Sequence, residues 1–300
     1  MNSISPIQDV QPEQSSWAGT RPPRQRHLQA VRFLLRRDPL ACGLVTLFLL
    51  AATVGPWLAP HSQTTVTLTA QLQGPSAQFP LGTDQYGRDL LSRLLGAAQV
   101  AAEAALIVLL IGGILGTVLG TIAGGLGGLT DLIISRLTEI LQSFPIILLA
   151  IAVVAITGPS LEHAMIAVGI GNIPDFVRLS RSIGIQLRGR EFVEAARSVG
   201  AGELHILRRE VLPNMAGALI VIASFNAAQA VMYEATLSFL GLGVQPPQPS
   251  FGGMLSEAKT YLNIQPWYAL VVGVALALVI LGLNLLGDAF SDYFDRGGQL

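Results

Sequence analysis

Chemistry in a protein rests on a few side-chain types, and here those types are sparse. The four histidines, His27, His61, His163 and His205, form no HExxH pair, and no serine sits in a GxSxG elbow. A metal site needs clustered ligands, and the sequence brings none together, so neither a metal nor a catalytic residue is expected. The single cysteine, Cys42, lies in an apolar run and reads as a small buried hydrophobe. A P-loop needs GxxxxGK followed by Ser or Thr, but the one lysine, Lys259, sits in SEAKT with no glycine before it. The chain therefore carries no Walker site, and any energy from ATP must come through another subunit. Glu103, Glu139 and Glu234 fall in or near apolar segments, where an acid at the bilayer centre costs about 2.5–3.5 kcal/mol. Glu103 and Glu139 read as lying near helix ends, Glu139 one turn from Arg136. Glu234 is deeper, with Asn226 and Gln229 nearby. These three either line a polar path or bond neighbouring helices. Glu234 with His163 is the one thin candidate for an enzyme pair, and it lacks a third member.

The elements that would position these groups are membrane helices. The 300 residues are 51% hydrophobic and 12% charged, with mean hydropathy +0.55. Soluble domains are about a quarter charged. The net charge of −1 gives no case for nucleic acid as a partner. Helices need about 20 apolar residues to cross the hydrocarbon core, and six segments come close: 39–58, 99–123, 137–157 with a kink at Pro145, a short 161–177, 215–240 and 267–286. Residues 1–38, with six arginines, read as a disordered basic tail before a membrane anchor rather than a cleaved leader. Six spans put both termini on one side. Fifteen of the eighteen basic residues then share one face, which the positive-inside rule makes cytoplasmic; only Arg88, Arg93 and Lys259 fall outside. On the outer face, 86–95 has Leu90, Leu91, Leu94 and Leu95 at helical spacing and reads as an interfacial amphipathic helix. The loop 241–265 is rich in turn residues. Gly112, Gly116, Gly120, Gly124 and Gly128 recur every fourth residue, a ridge without side chains on which another helix can pack closely.

Residues 191–214, EFVEAARSVGAGELHILRREVLPN, hold seven charged residues in their first twenty. Phe192, Ala195, Ala196 and Val199 form one apolar face at i, i+3, i+4 and i+7. Gly200 stops that helix. Leu204, Leu207 and Val211 begin a second face, and Pro213 leads into the next span. Two short amphipathic helices at a bend are expected, with Glu194 and Arg197 facing out. A plain connection would be much shorter than this roughly thirty-residue link, which favours a docking element.

This stretch resembles the EAA motif of ABC importer permeases through Glu194, Ala195, Ala196, Gly200, Leu212 and Pro213. Glu210 departs from the more apolar lead into Leu-Pro that the family often has. PLGTDQYGRDLLSRLLGA (80–97) and EATLSFLGLGVQPPQPSFGGML (234–255) are similar to the second-permease type of the dipeptide, oligopeptide and nickel importers. The resemblance covers residues 28–296. It implies an all-α membrane protein with six transmembrane helices in the type I ABC importer permease fold, multi-pass in the bacterial inner membrane. Implied partners are a homologous second permease, two ATP-binding cassette subunits that hold ATP and Mg, an extracytoplasmic solute-binding protein, and membrane lipid. This chain itself would bind no cofactor and be no enzyme. The coupling role falls on the six motif residues; Asn226, Gln229 and Glu234 remain candidates for the translocation path or for bonds between neighbouring helices. The expected organisation is a tail (1–38), a first helix with its outer loop (39–96), a permease core (97–290) with a coupling loop at 181–213, and a short tail (291–300). The solute expected is a di- or oligopeptide. A nickel or other small-solute permease of the same family is the alternative, with a passive channel or a membrane-embedded enzyme behind it.

Overall fold

The computed structural model describes residues 37–297, so most of the expected basic tail (1–36) and the last three residues lie outside the described residues. Every named element is helical. Helix α1 (Pro39–Thr53) starts with proline in its first turn, where the missing N–H costs nothing. α2 runs Leu90–Leu126 as one rod of 37 residues. Its N-cap is Asp89, whose carboxylate accepts the Ser92 N–H at 3.0 Å. α3 (Gly128–Gln142) and α4 (Ile146–Thr157) follow, then α5 (Leu161–Arg188), capped by Ser160. α6 (Glu191–Ser198) is short. α7 (Glu203–Phe239) is again a 37-residue rod. α8 (Phe251–Lys259) is capped by Ser250, and α9 (Pro266–Gly297) closes the bundle.

Among the described residues, α2, α7 and α9 are each long and apolar enough to cross a membrane. α3 and α4 meet that test only together, and they are bent by 79° across Ser143-Phe144-Pro145. The kink expected at Pro145 is thus a full break, because proline forces the preceding residue out of the helical region. The segment expected as a short span at 161–177 is a 28-residue helix that carries Pro174 in its interior and Arg178, Arg181 and Arg188 beyond it. The expected interfacial helix at 86–95 is not one. Leu90 is buried in the bundle core and starts α2, which therefore begins well before the span read from the sequence.

The core is built from small residues. Ala101, Ala104 and Val108 of α2 meet Ala164 and Val168 of α5, Ala228 and Val231 of α7, and Tyr268 and Val272 of α9 in one cluster. The glycine ridge explains the α2–α5 contact. A Cβ at Gly112 would meet the Gly169 carbonyl at 3.0 Å; at Gly116, the Ile173 carbonyl at 2.7 Å; at Gly120, the Val177 carbonyl at 2.5 Å; at Gly124, the Arg181 carbonyl. Each step of four on α2 answers a step of four on α5, so the backbones nearly touch. Gly128 is not part of the ridge: α2 ends at Leu126, and Gly127 and Gly128 turn the chain with positive φ.

Candidate functional site

The arginine-rich end of the bundle carries the motif region. α6 has Glu191 and Glu194 in its first turn and Arg197 in its last, the order that suits the helix dipole. Gly200, at φ +86°, ends it in a Schellman turn: the Gly200 N–H donates to the Arg197 carbonyl at 2.9 Å and the Ala201 N–H to the Ala196 carbonyl at 3.0 Å. Arg197 spans this turn with two bonds to Glu203, Nε to Oε1 at 2.9 Å and NH2 to Oε2 at 3.1 Å. The Arg197 hydrogen bond holds the Glu203 carboxyl below its usual range, against an opposing effect of burial.

The expected pair of separate short helices is only half present. The first is α6. The second is continuous with the following span in α7, through a π-turn at Leu207–Val211. The π-turn falls just before Pro213, which cannot donate to the carbonyl four residues earlier, so the ladder lengthens there. The Asn214 amide donates to the Glu210 carbonyl beside it.

The inward face also differs from the periodicity reading. Val193 is 1% exposed and packs with Ile206, Leu207, Val211 and Met215. Phe192, Val199 and Leu204 point outward, the last two at 84% and 78% exposure. Ala196 rests against the buried cluster, while Glu194, Ala195 and Gly200 lie on the open side, with Leu212 and Pro213 exposed at the foot of α7. Val193 faces in because it meets Ile183 and Leu187 at the end of α5, which bring Ala196 and Ala201 into the same cluster. The stripe found by periodicity is largely the free face. Five of the six motif residues are thus open to solvent, beside three apolar side chains with nothing over them.

Asn226, Gln229 and Glu234 do not form one group. Asn226 and Glu234 are buried, whereas Gln229 is exposed. Asn226 donates to its own helix at the Ile222 carbonyl, 3.0 Å. Glu234 accepts the Ser238 hydroxyl at 2.7 Å, and Ser238 in turn accepts the Val244 N–H at 3.1 Å. Glu234 therefore ties the end of α7 to the loop behind it. Gly252, at the start of α8, lies against the Ala235 backbone with no room for a side chain.

Sequence reasoning missed a charged cluster at the opposite end. Arg88 Nε donates to Asp84 Oδ2 at 2.6 Å, and Arg88 NH2 to Glu257 Oε2 at 3.0 Å. Arg93, 2% exposed, reaches Asp84 at 3.4 Å and Glu257 at 3.2 Å. The Tyr268 hydroxyl donates to Glu257 at 3.0 Å, and Trp267 Nε1 donates to the Leu81 carbonyl at 3.0 Å. The cluster joins segment 80–97 to α8 and α9. Its signal was present: Arg88 and Arg93 are two of the three basic residues set apart from the arginine-rich face. Among the described residues no group of three His, Cys, Asp or Glu is placed to hold a metal ion.

Comparison with known proteins places this geometry. Residues 116–297 match the family described as binding-protein-dependent transport system inner membrane component. The chain is 39% identical over 295 residues to the dipeptide transport system permease protein DppC of Alkalihalophilus pseudofirmus, covering 97% of this chain and 95% of that one. It is 38% identical to the probable D,D-dipeptide transport system permease protein DdpC of Escherichia coli strain K12, covering 94% and 97%. It is 40% identical to the glutathione transport system permease protein GsiD of Escherichia coli O157:H7, covering 85% and 84%. Among solved structures, a chain of the MetNI methionine ABC transporter in an inward-facing conformation superposes with a TM-score of 0.51 at 20% identity, covering 66% of this chain and 93% of that one. That likeness concerns the fold.

Proposed function

The chain belongs to the family of binding-protein-dependent transport inner-membrane components, and we propose that it is the permease subunit of an ATP-driven type I importer of di- or oligopeptides. The observation that carries this reading is the open α6–α7 surface: Glu194, Ala195 and Gly200 beside uncovered Phe192, Val199 and Leu204, on a chain with no nucleotide loop of its own. An apolar patch rimmed by charge is what a docked partner covers. One ATP-binding cassette subunit, holding ATP and Mg, docks there, and a second docks on the equivalent surface of the partner permease. A second, homologous permease completes the translocation path, and a solute-binding protein delivers peptide from the far side. A peptide solute is supported by relatives named for dipeptide, D,D-dipeptide and glutathione transport.

Six spans follow if α1, α2, the bent α3–α4 pair, α5, α7 and α9 each cross the inner membrane. Both termini are then cytoplasmic, with 39–96 as the first helix and outer loop, 97–290 as the permease core, and 181–213 as the coupling loop between α5 and α7. A partner can drive alternating access only if it fits the two states of the bundle differently. The buried packing of Val193 on Ile206 and Leu207 supports such a role, since it ties α6 to the base of α7, with the Arg197–Glu203 pair across the Gly200 turn.

The test is uptake and assembly in Glu194→Arg and Gly200→Trp. A side chain at Gly200 has open space around it, but at φ +86° it strains the turn, so membrane insertion of the Trp variant is measured beside its uptake. Both variants should reach the membrane, lose ATP-dependent peptide uptake, and fail to co-purify the ATPase. Normal uptake in both rejects the coupling assignment.

A further inference from the structure

At the break between α3 and α4 a cleft of about 380 Å³ opens, lined by Gln142, Phe144, Pro145, Gly171, Asp175 and Tyr233, a volume within the range of small-ligand sites. Asp175 and Arg178 stand one turn apart on α5, with Arg178 NH2 donating to Asp175 Oδ1 at 2.7 Å and Arg178 NH1 to Gln142 Oε1 at 3.1 Å. Asp175 is fourteen residues beyond Leu161, the first residue of α5. It stands level with residues 116–120 of α2, where a Cβ at Gly116 would meet the Ile173 carbonyl and one at Gly120 the Val177 carbonyl, within a helix long and apolar enough to cross a membrane. Yet the Arg178 and Asp175 side chains are 63% and 35% exposed on the isolated chain. Full charges at that depth cannot be left facing lipid, so they face an aqueous path or a protein-lined cavity. A helix interrupted at the same level is the form that substrate sites in transporters take, because the break frees backbone and opens space.

We propose that Asp175 and Arg178 read the two charged ends of a peptide as it passes, Asp175 taking the α-ammonium and Arg178 the carboxylate. This assignment rests on the peptide-importer reading above. The spacing fits: side chains at i and i+3 are about 5–6 Å apart at Cβ, and two extended residues span at most about 7 Å. A guanidinium grips a carboxylate with two parallel bonds, and Gln142 already orients it from across the break. Between substrates the two charges satisfy each other, so the site is not left with an uncompensated ion. When a zwitterion enters, one ion pair is exchanged for two. Tyr233 and Phe144 supply apolar walls for side chains of any kind. Charge recognition is thus confined to the peptide ends, and the side chains go unread.

The test uses the complete importer in liposomes, with second permease, ATPases and binding protein, and radiolabelled di- and trialanine as probes. Uptake should fall about tenfold or more in Asp175→Asn and in Arg178→Gln, the effect of removing one charge-assisted hydrogen bond, while binding-protein-stimulated ATP hydrolysis stays within about twofold of wild type. Asp175→Glu and Arg178→Lys keep the charges and should retain most uptake. Unchanged uptake in both neutral variants overturns the assignment. So does a joint loss of assembly, hydrolysis and uptake, which marks a merely structural ion pair. A wild-type complex that hydrolyses ATP but carries neither probe overturns the peptide reading, and this assignment with it; the wild-type arm separates that failure from the others.

Discussion

Replacing Gly120 by alanine isolates the close approach of α2 to α5. The new Cβ would stand 2.5 Å from the Val177 carbonyl oxygen, 2.8 Å from the Ser180 Cβ and 2.9 Å from the Val177 Cα. Comfortable contact begins near 3.5 Å, so the two helices must part locally by roughly 1 Å. The atoms in the way are mostly backbone and cannot rotate aside. Overpacking of this kind costs about 1–3 kcal/mol, set against the roughly 1 kcal/mol that alanine gains over glycine inside a helix. Gly113 supplies the control, since on the same rod its Cβ would meet only the Phe176 ring at 3.6 Å, an ordinary contact. Thermal unfolding of both variants, purified in one detergent, should show a lowered midpoint for Gly120→Ala and an equal or higher one for Gly113→Ala. If Gly120→Ala raises the midpoint as much as Gly113→Ala, the glycine ridge is not what lets these helices meet.

Two further expectations concern the charged ends of the bundle. Arg93→Met strips Glu257 and Asp84 of one buried partner and should cost about 3 kcal/mol, the low end for a broken buried pair because Arg88 still holds both acids; adding Glu257→Gln should recover part of it in a detergent unfolding cycle, and strict additivity of the two changes refutes the coupling. The Arg197–Glu203 clamp should be pH-dependent: the Glu203 carboxyl titrates below its ordinary 4.5 when paired with Arg197, so the clamp's contribution is complete above pH 4.5 and is lost as pH falls through the lower, folded value. Hydrogen exchange at the 197–203 turn, corrected for intrinsic rates, should be unchanged from pH 7 down to pH 5 and rise only below 4.5; a rise already between pH 7 and 5 contradicts this.

Much of the fold was legible along the chain because its rules are local. Apolar runs of membrane length, glycines every fourth residue, the stop at Gly200 and the missing P-loop all follow from spacing within a few turns. The EAA-like pattern was equally legible as a pattern, since its residues lie within twenty positions. What the sequence could not settle were contacts between distant segments. Arg88 and Arg93 meet Glu257 more than 160 residues away, and no periodicity links them. Val193, rather than the predicted stripe, faces inward because the ends of α5 and α7 lie on that side of α6. Gln229 parts company with Glu234 because their neighbours differ, although one helix carries both. The clearest case is Asp175 and Arg178. In sequence they look like the polar margin of a short span. Only the tertiary arrangement, with α5 running on past them and the broken α3–α4 pair beside them, sets Asp175 in the lining of a cleft and Arg178 against Gln142 at its edge. Helical periodicity says which residues share a face; burial, and so the worth of a charge, depends on what packs against that face.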